Sequence, residues 1–360
     1  VWRRRELVEG VRMQFGVTFF PDVTPDVKSA QQYYAETFEL IDFAADLGFC
    51  HAKIIEHYLT PYGGYSPDPL QFLAAVATRQ PKMRLMTGAV IPAFNHPIQL
   101  AARIALLDSM SNGRLDVGFA RAFLPHEFDA FEVSMDDSRA RYEEGIDAIR
   151  RLLTEEEVTF EGQFHRFEKA RSLPRPVQQP HPPFYVAAFR TPDSFEYAGR
   201  EGHSLMITPF YMRPAELGEM VVNYRSFRAE GGHDPATASI NINFRLYCAE
   251  SDKEAVERAE PYARHYINMF LEPLERWRDQ PSAQYPGYEK FITAVEKFPY
   301  DVLVEQSFIG SPENARDRIA YFTDICGGEI YPSIDFAYGN MPLDEAKASL
   351  KLFAEEVMAK

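Results

Sequence analysis

Positive charge is the first thing this chain has too little of. Thirty-eight Lys and Arg stand against 53 Asp and Glu, a net charge of −15 at neutral pH. Binding to phosphate backbones needs a basic face, so nucleic acid is excluded as a natural partner, and anionic membrane surfaces are disfavoured. Cysteine is scarcer still. Cys50, Cys248 and Cys326 are odd in number and far apart, which rules out a disulfide framework and shows no metal-ligand spacing. No metal site is expected, and a reducing, cytoplasmic setting is. Long apolar runs are also missing; nothing approaches the roughly 20 residues that span a bilayer. Residues 1–12 (VWRRRELVEGVR) carry charge and no apolar stretch of signal-peptide length, and are expected to form a disordered leader. Finally, no Gly-x-Gly-x-x-Gly follows the first strand, so a Rossmann dinucleotide site is poorly supported.

What is present is an ordinary globular balance, 46% hydrophobic and 25% charged, with a high aromatic share. Twenty-eight Phe and 19 Tyr could serve a core, an apolar pocket, or both. The apolar period alternates along the chain between strand-like and helix-like. Strands are predicted at 13–20, 52–55, 83–91, 114–120, 183–189, 204–208, 239–248 and 330–337. Helices are predicted at 30–47, 69–79, 97–110, 138–153, 193–200, 214–230, 252–270, 312–326 and 343–358. Residues 155–182 break the rhythm with a hairpin around Glu161-Gly162 and a Pro-rich connector. Residues 271–305 are Pro- and aromatic-rich and read as irregular. Such alternation gives either a closed barrel or a wide doubly wound sheet. The missing glycine fingerprint favours the barrel, with residues 13–360 as a single (β/α)8 barrel domain of the TIM type. In a barrel the loops after the strand C-termini build the site, which makes 271–305 either a lid or a plain mobile insertion.

Several residues stand where such a site would lie. Glu56-His57-Tyr58 follows the second strand; a histidine there is either a base of near-neutral pKa at the barrel mouth or a loop residue packed on aromatics. Arg121 ends the fourth strand, placed either to grip phosphate or carboxylate with two N–H groups or to form a rim ion pair. Arg139 opens the next helix, where an ion pair on the helix face is the ordinary expectation. Thr191-Pro192-Asp193-Ser194 reads as a helix start whose free N–H groups can hold phosphate, or as a plain capped helix. Gly88-Ala89, at the end of the third strand, lacks bulk, so a flat cofactor could approach the backbone there, or the barrel is merely tightly packed. Phe19, Tyr58, Tyr62 and Phe94 are candidates to line a pocket.

Taken in order, these segments resemble the bacterial luciferase family of flavin monooxygenases. The stretches that carry the likeness are Asn95-His96-Pro97, the run Leu107-Asp108-Ser109-Met110-Ser111-Asn112-Gly113-Arg114-Leu115 and on to Arg121, and Leu173-Pro174-Arg175-Pro176 with Gln178-Gln179-Pro180. Thr191-Pro192-Asp193-Ser194 and Tyr338-Gly339-Asn340-Met341-Pro342 add to it. The resemblance implies a luciferase-like barrel that binds FMN at its mouth. The cofactor would be used reduced, as a co-substrate supplied by a separate flavin reductase, and with dioxygen would oxygenate a small organic substrate through a C4a-peroxyflavin. His57 and Glu56 would be catalytic. Gly88, Ala89, Ala120, Arg121, Arg139, Ala187, Ala188 and Ser194 would bind the cofactor, with a non-proline cis peptide at Gly88-Ala89. A homodimer is implied. Ala120 replaces the reactive cysteine of the light-emitting members and Tyr58 replaces the second histidine of their pair, which speaks against light emission and a long-chain aldehyde substrate. A deazaflavin-dependent hydride transferase and a flavin binder without turnover are the alternatives.

Overall fold

The computed structural model describes residues 13–189, 191–210 and 212–359. The expected leader, residues 1–12, lies outside them. Among the described residues eleven strands are formed: β1 (Gly16–Phe19), β2 (His51–Ile54), β3 (Arg84–Val90), β4 (Leu115–Phe119), β5 (Val158–Glu161), β6 (Arg166–Ala170), β7 (Phe184–Ala188), β8 (Ser204–Ile207), β9 (Ile240–Cys248), β10 (Phe308–Gly310) and β11 (Tyr331–Asp335). The order β9-β11-β1-β2-β3-β4-β7-β8 closes through a β8–β9 pairing, every neighbour parallel, into the eight-stranded barrel. Helices follow the strands and cover the outside. The antiparallel β5–β6 ribbon stands apart from the barrel, as the expected hairpin between Val158 and Phe167.

The barrel strands are rich in apolar residues because both faces are buried, one on the helices and one on the barrel interior, although β2, β9 and β11 interleave them with polar side chains. Val17, Ala52, Leu85, Val117 and Ile242 are fully buried. The helix starts have local causes. Ser29 accepts from Gln32 N and opens Ala30–Asp46, and Asp68 accepts from Gln71 N with Pro69 in the first turn of Pro69–Arg79. Among the described residues no helix is long and apolar enough to cross a membrane.

Segment 271–305 departs from its irregular reading. The helix Asp252–Leu274 runs on through Pro273, a 3-10 turn covers Glu275–Arg278, and two further helices span Tyr288–Glu296 and Tyr300–Glu305. Its prolines punctuate short helices without preventing them; Pro299, for one, immediately precedes the last. Packing supplies the order. Trp277 is buried, with its ring centroid 5.1 Å from that of Tyr285 and 4.9 Å from that of Tyr288. A strand and a helix also escaped the sequence reading: β10, which pairs with β9, and the short helix Pro125–Ala130.

Candidate active site

At the C-terminal ends of the strands lies a cavity of about 240 Å³. From the second-strand motif, Glu56 and His57 line it; from the cofactor set, Gly88, Ala89, Ala120 and Arg121 do. Ala187, Ala188 and Ser194 complete the expected residues that it brings together. Arg139 is the exception. It opens the helix Ser138–Thr154 and pairs with Glu143 at 3.5 Å and Asp193 at 3.4 Å. It therefore reaches the start of the helix Pro192–Arg200 but does not line the cavity. Of the aromatic candidates only Tyr62 lines it. Phe20 replaces Phe19, because successive side chains of a strand point to opposite faces.

One wall comes from the ends of β3, β4 and β7 and has almost no side chains: Gly88, Ala89, Ala120, Ala187 and Ala188. The Gly88–Ala89 peptide is cis, as the resemblance implied. Gly88 is required by a neighbour as well, since a Cβ there would lie 2.5 Å from Lys53 Cγ. Arg121 stands at the edge of this wall. Its guanidinium carbon lies 4.0 Å from the centre of the Tyr285 ring, and Nη2 donates to the Gln284 carbonyl at 3.0 Å. Nη1 is buried without a partner. Tyr285 is itself held by a hydroxyl bond to the Ala122 carbonyl. The once-irregular segment thus supplies part of the site, and Tyr288 and Phe291 from it also line the cavity.

His57 belongs to the other wall. Its Nδ1 lies 3.0 Å from Glu127 Oε1, and the same oxygen accepts the Tyr58 backbone N–H at 2.9 Å. Glu127 is fully buried on the unanticipated helix Pro125–Ala130. Gly63, at φ +78°, passes over the histidine so closely that a Cβ would sit 2.7 Å from His57 Cβ. The ring is flanked by Phe20, Tyr62 and Phe123, so the histidine is packed on aromatics and also lines the cavity. Glu56 is engaged on both oxygens, by the Tyr58 hydroxyl at 2.6 Å, the Ile91 N–H at 3.0 Å and Asn95 Nδ2 at 3.2 Å. Burial pushes its carboxyl up to about 7 against those bonds.

A row of polar residues lies beside His57 that the sequence reading missed. Lys53 on β2, Thr18 on β1, Asp335 on β11 and Arg245 on β9 are consecutive register partners and all line the cavity. Lys53 Nζ donates to Asn241 Oδ1 at 2.8 Å. Burial brings the Lys53 ammonium down to about 7 and the Asp335 carboxyl up to about 6, the latter opposed by Arg245 and Lys53. A signal for this row was available. In strands buried on both faces, His51 and Lys53, Asn241, Asn243 and Arg245, and Ser333 and Asp335 recur at every second position, which aims them at one side of the sheet.

The family model described as luciferase-like monooxygenase matches residues 13–327. A flavin-dependent trigonelline monooxygenase, oxygenase component, from Acinetobacter baylyi is 30% identical over 354 residues, covering 96% of this chain and 95% of its own. Among solved structures, the monooxygenase RslO1 from Streptomyces bottropensis is 39% identical at a TM-score of 0.84, with 96% and 99% of the two chains covered. The oxygenating constituent of 3,6-diketocamphane monooxygenase from Pseudomonas putida, in complex with FMN, shares the fold at a TM-score of 0.79 and 20% identity, over 97% of this chain and 99% of its own.

Proposed function

The chain belongs to the luciferase-like monooxygenase family, whose members compared above include flavin-dependent oxygenases, and from that premise we propose that it is the oxygenase of a two-component system. It takes reduced FMN from a separate reductase and uses dioxygen to oxygenate a small organic substrate. The observation that carries this reading is the buried, unpartnered Nη1 of Arg121 at the edge of a wall made of Gly and Ala. A buried cationic donor left unmade is expensive, and an anionic ligand beside it removes the cost. A flat ring system needs a wall without bulk, and Gly88, Ala89, Ala120, Ala187 and Ala188 are one.

Bound there, reduced flavin supplies the two electrons that activate dioxygen. The protein does the rest. Arg121 and the start of the helix Pro192–Arg200, with Ser194, hold the phosphate; Arg139 supports that helix start through Asp193. Glu127 fixes the His57 ring through Nδ1, so Nε2 is the nitrogen that holds or releases a proton on the cavity side. Glu56 braces the turn after Ala89 through Ile91 and Asn95 and is a positioning residue. Tyr285, Tyr288 and Phe291 keep water from the reacting atoms.

The test is anaerobic titration with dithionite-reduced FMN, followed by admission of 18O-labelled dioxygen in the presence of a panel of small cyclic acids and ketones. One labelled oxygen atom per product molecule is expected. Preference for a deazaflavin, with substrate converted without oxygen uptake, would overturn the reading.

A further inference from the structure

We propose that the substrate of this site bears a carboxylate and that Arg245 receives it; the assignment rests on the oxygenase reading above and names its substrate class. Arg245 is 1% exposed, lines the cavity and yet spends little of its bonding capacity. Its Nε and Nη1 have no hydrogen-bond partner. Among the described residues its one ion pair, Nη2 to Asp335 Oδ2, spans 3.8 Å, beyond hydrogen-bond length. Three rings hold the guanidinium carbon instead: Tyr266 at 3.4 Å, with Phe210 and Tyr338 each at 4.9 Å from their centres. Aromatic faces favour the cation but accept none of its N–H groups in the way an oxygen does. The side chain is therefore fixed, desolvated and charged, with donors unused, which is the state that a planar carboxylate satisfies through two parallel bonds.

The surrounding charges do not cancel it. Asp22, the other acid coupled to Arg245, is pushed up to about 8 by burial and is largely uncharged at neutral pH. Asp335 must serve both Arg245 and Lys53. The flavin phosphate is a poor candidate for this cation, because Arg121 and the helix start at Pro192 lie after β4 and β7, with β8 and β7 standing between β9 and β4. From Arg245 the rings continue toward His57. Tyr266 lies 5.4 Å from Phe20 and 5.9 Å from Tyr62, and Tyr62 lies 5.2 Å from His57. A compact apolar or aromatic acid fits this run, its carboxylate on Arg245 and its body on the rings that end at the histidine.

The experiment is calorimetric titration of the full chain, both FMN-loaded and flavin-free, with benzoate and cyclohexanecarboxylate against their uncharged amides. The wild type should bind each acid at least about tenfold more tightly than its amide. Arg245→Gln should bring that ratio close to one, Arg245→Lys should keep part of it, and FMN affinity should stay the same in both. No preference in the wild type overturns the proposal, and so does a preference that survives Arg245→Gln. Weakened FMN binding in Arg245→Gln would assign the arginine to the cofactor and overturn it as well. Should Arg245→Gln not fold, the wild-type ratio and the Lys variant decide. A chain that prefers acids but binds no FMN would sink the oxygenase reading and leave this one standing.

Discussion

The two walls of the cavity are built on opposite plans. The wall from β3, β4 and β7 works by omission: Gly and Ala leave a flat face, and one arginine at its edge keeps a donor free. The wall from β9, β11, β1 and β2 works by accumulation, with two cations, an acid, a histidine–glutamate pair and a run of aromatic rings packed into the barrel interior. Omission costs little stability and suits a ligand whose shape is constant. Accumulated buried charge is costly to fold and is kept where it has chemistry to do. Under the proposed function the first wall would take the cofactor and the second the substrate and the proton.

The largest expected effect tests that division from the charged side. His57→Ala should lower product formation about 100- to 10,000-fold, the usual contribution of a general acid or base, while FMN affinity stays within about threefold, since none of the groups proposed to hold the phosphate is touched. Reduced flavin should still be oxidised, with hydrogen peroxide released in place of oxygenated product. Single-turnover product yield and a flavin titration on one preparation read both quantities. A variant that loses flavin binding would mean that the histidine shapes the cavity and the two walls are not separable.

The next effect comes from the sparse wall. Arg121→Ala should weaken FMN binding by more than tenfold, because a charge-assisted contact to phosphate is worth about 1.5–3 kcal/mol. The substrate ratio measured with acids and amides should not change. Unaltered FMN affinity in this variant would remove Arg121 from the cofactor side and leave the flat wall without an anchor.

The contrast between the walls is also a contrast in legibility. The sparse wall could be read from the chain because its parts sit at the ends of strongly apolar strands, next to patterned turns: Gly88-Ala89 before Pro92, Ala120-Arg121 after an unbroken strand, Ser194 behind Thr191-Pro192. The barrel itself was readable for the same reason, since switching periods mark strand and helix without any tertiary knowledge. The charged wall was not. Lys53, Asn243, Arg245 and Asp335 are scattered over three strands up to 282 positions apart in sequence, and only the register of the closed barrel makes them neighbours. Glu127 was hidden differently. Its helix, Pro125–Ala130, is six residues long, too short to leave a periodic signal. In 271–305 the composition was noticed but its consequence misjudged, because burial of Trp277, Tyr285 and Phe291 overrides the local tendency of proline to interrupt helices.

The smallest effect measures what the charged wall costs. Asp22 is 2% exposed, and its Oδ2 accepts the Gly339 N–H at 2.7 Å. Burial raises its carboxyl from 3.8 to about 8, with Asp335 adding to the rise and the Gly339 bond and Arg245 opposing it. A carboxyl whose folded value lies above its unfolded one contributes stability that is complete below the unfolded value and is lost as pH climbs through the folded one. For Asp22 the loss therefore runs from about pH 4 to about pH 8. Asparagine cannot ionise, and its amide oxygen can still accept from Gly339. Asp22→Asn should match the wild type near pH 4 and melt about 1–5 °C higher near pH 8, because the buried asparagine amide nitrogen, lacking partners of its own, offsets much of the roughly 1.4 kcal/mol per unit recovered over that interval. Glu56, Lys53 and Asp335 also titrate in this interval, but they are present in both proteins, so the difference between the two melting curves reports Asp22 together with its interaction with Asp335. Calorimetric scans at about pH 4, 6 and 8 give that difference directly. A variant that melts at or below the wild type at the alkaline end would mean that Asp22 is charged in the folded protein and pairs with Arg245. The arginine would then have a second counter-ion, and its claim on a substrate carboxylate would weaken with it.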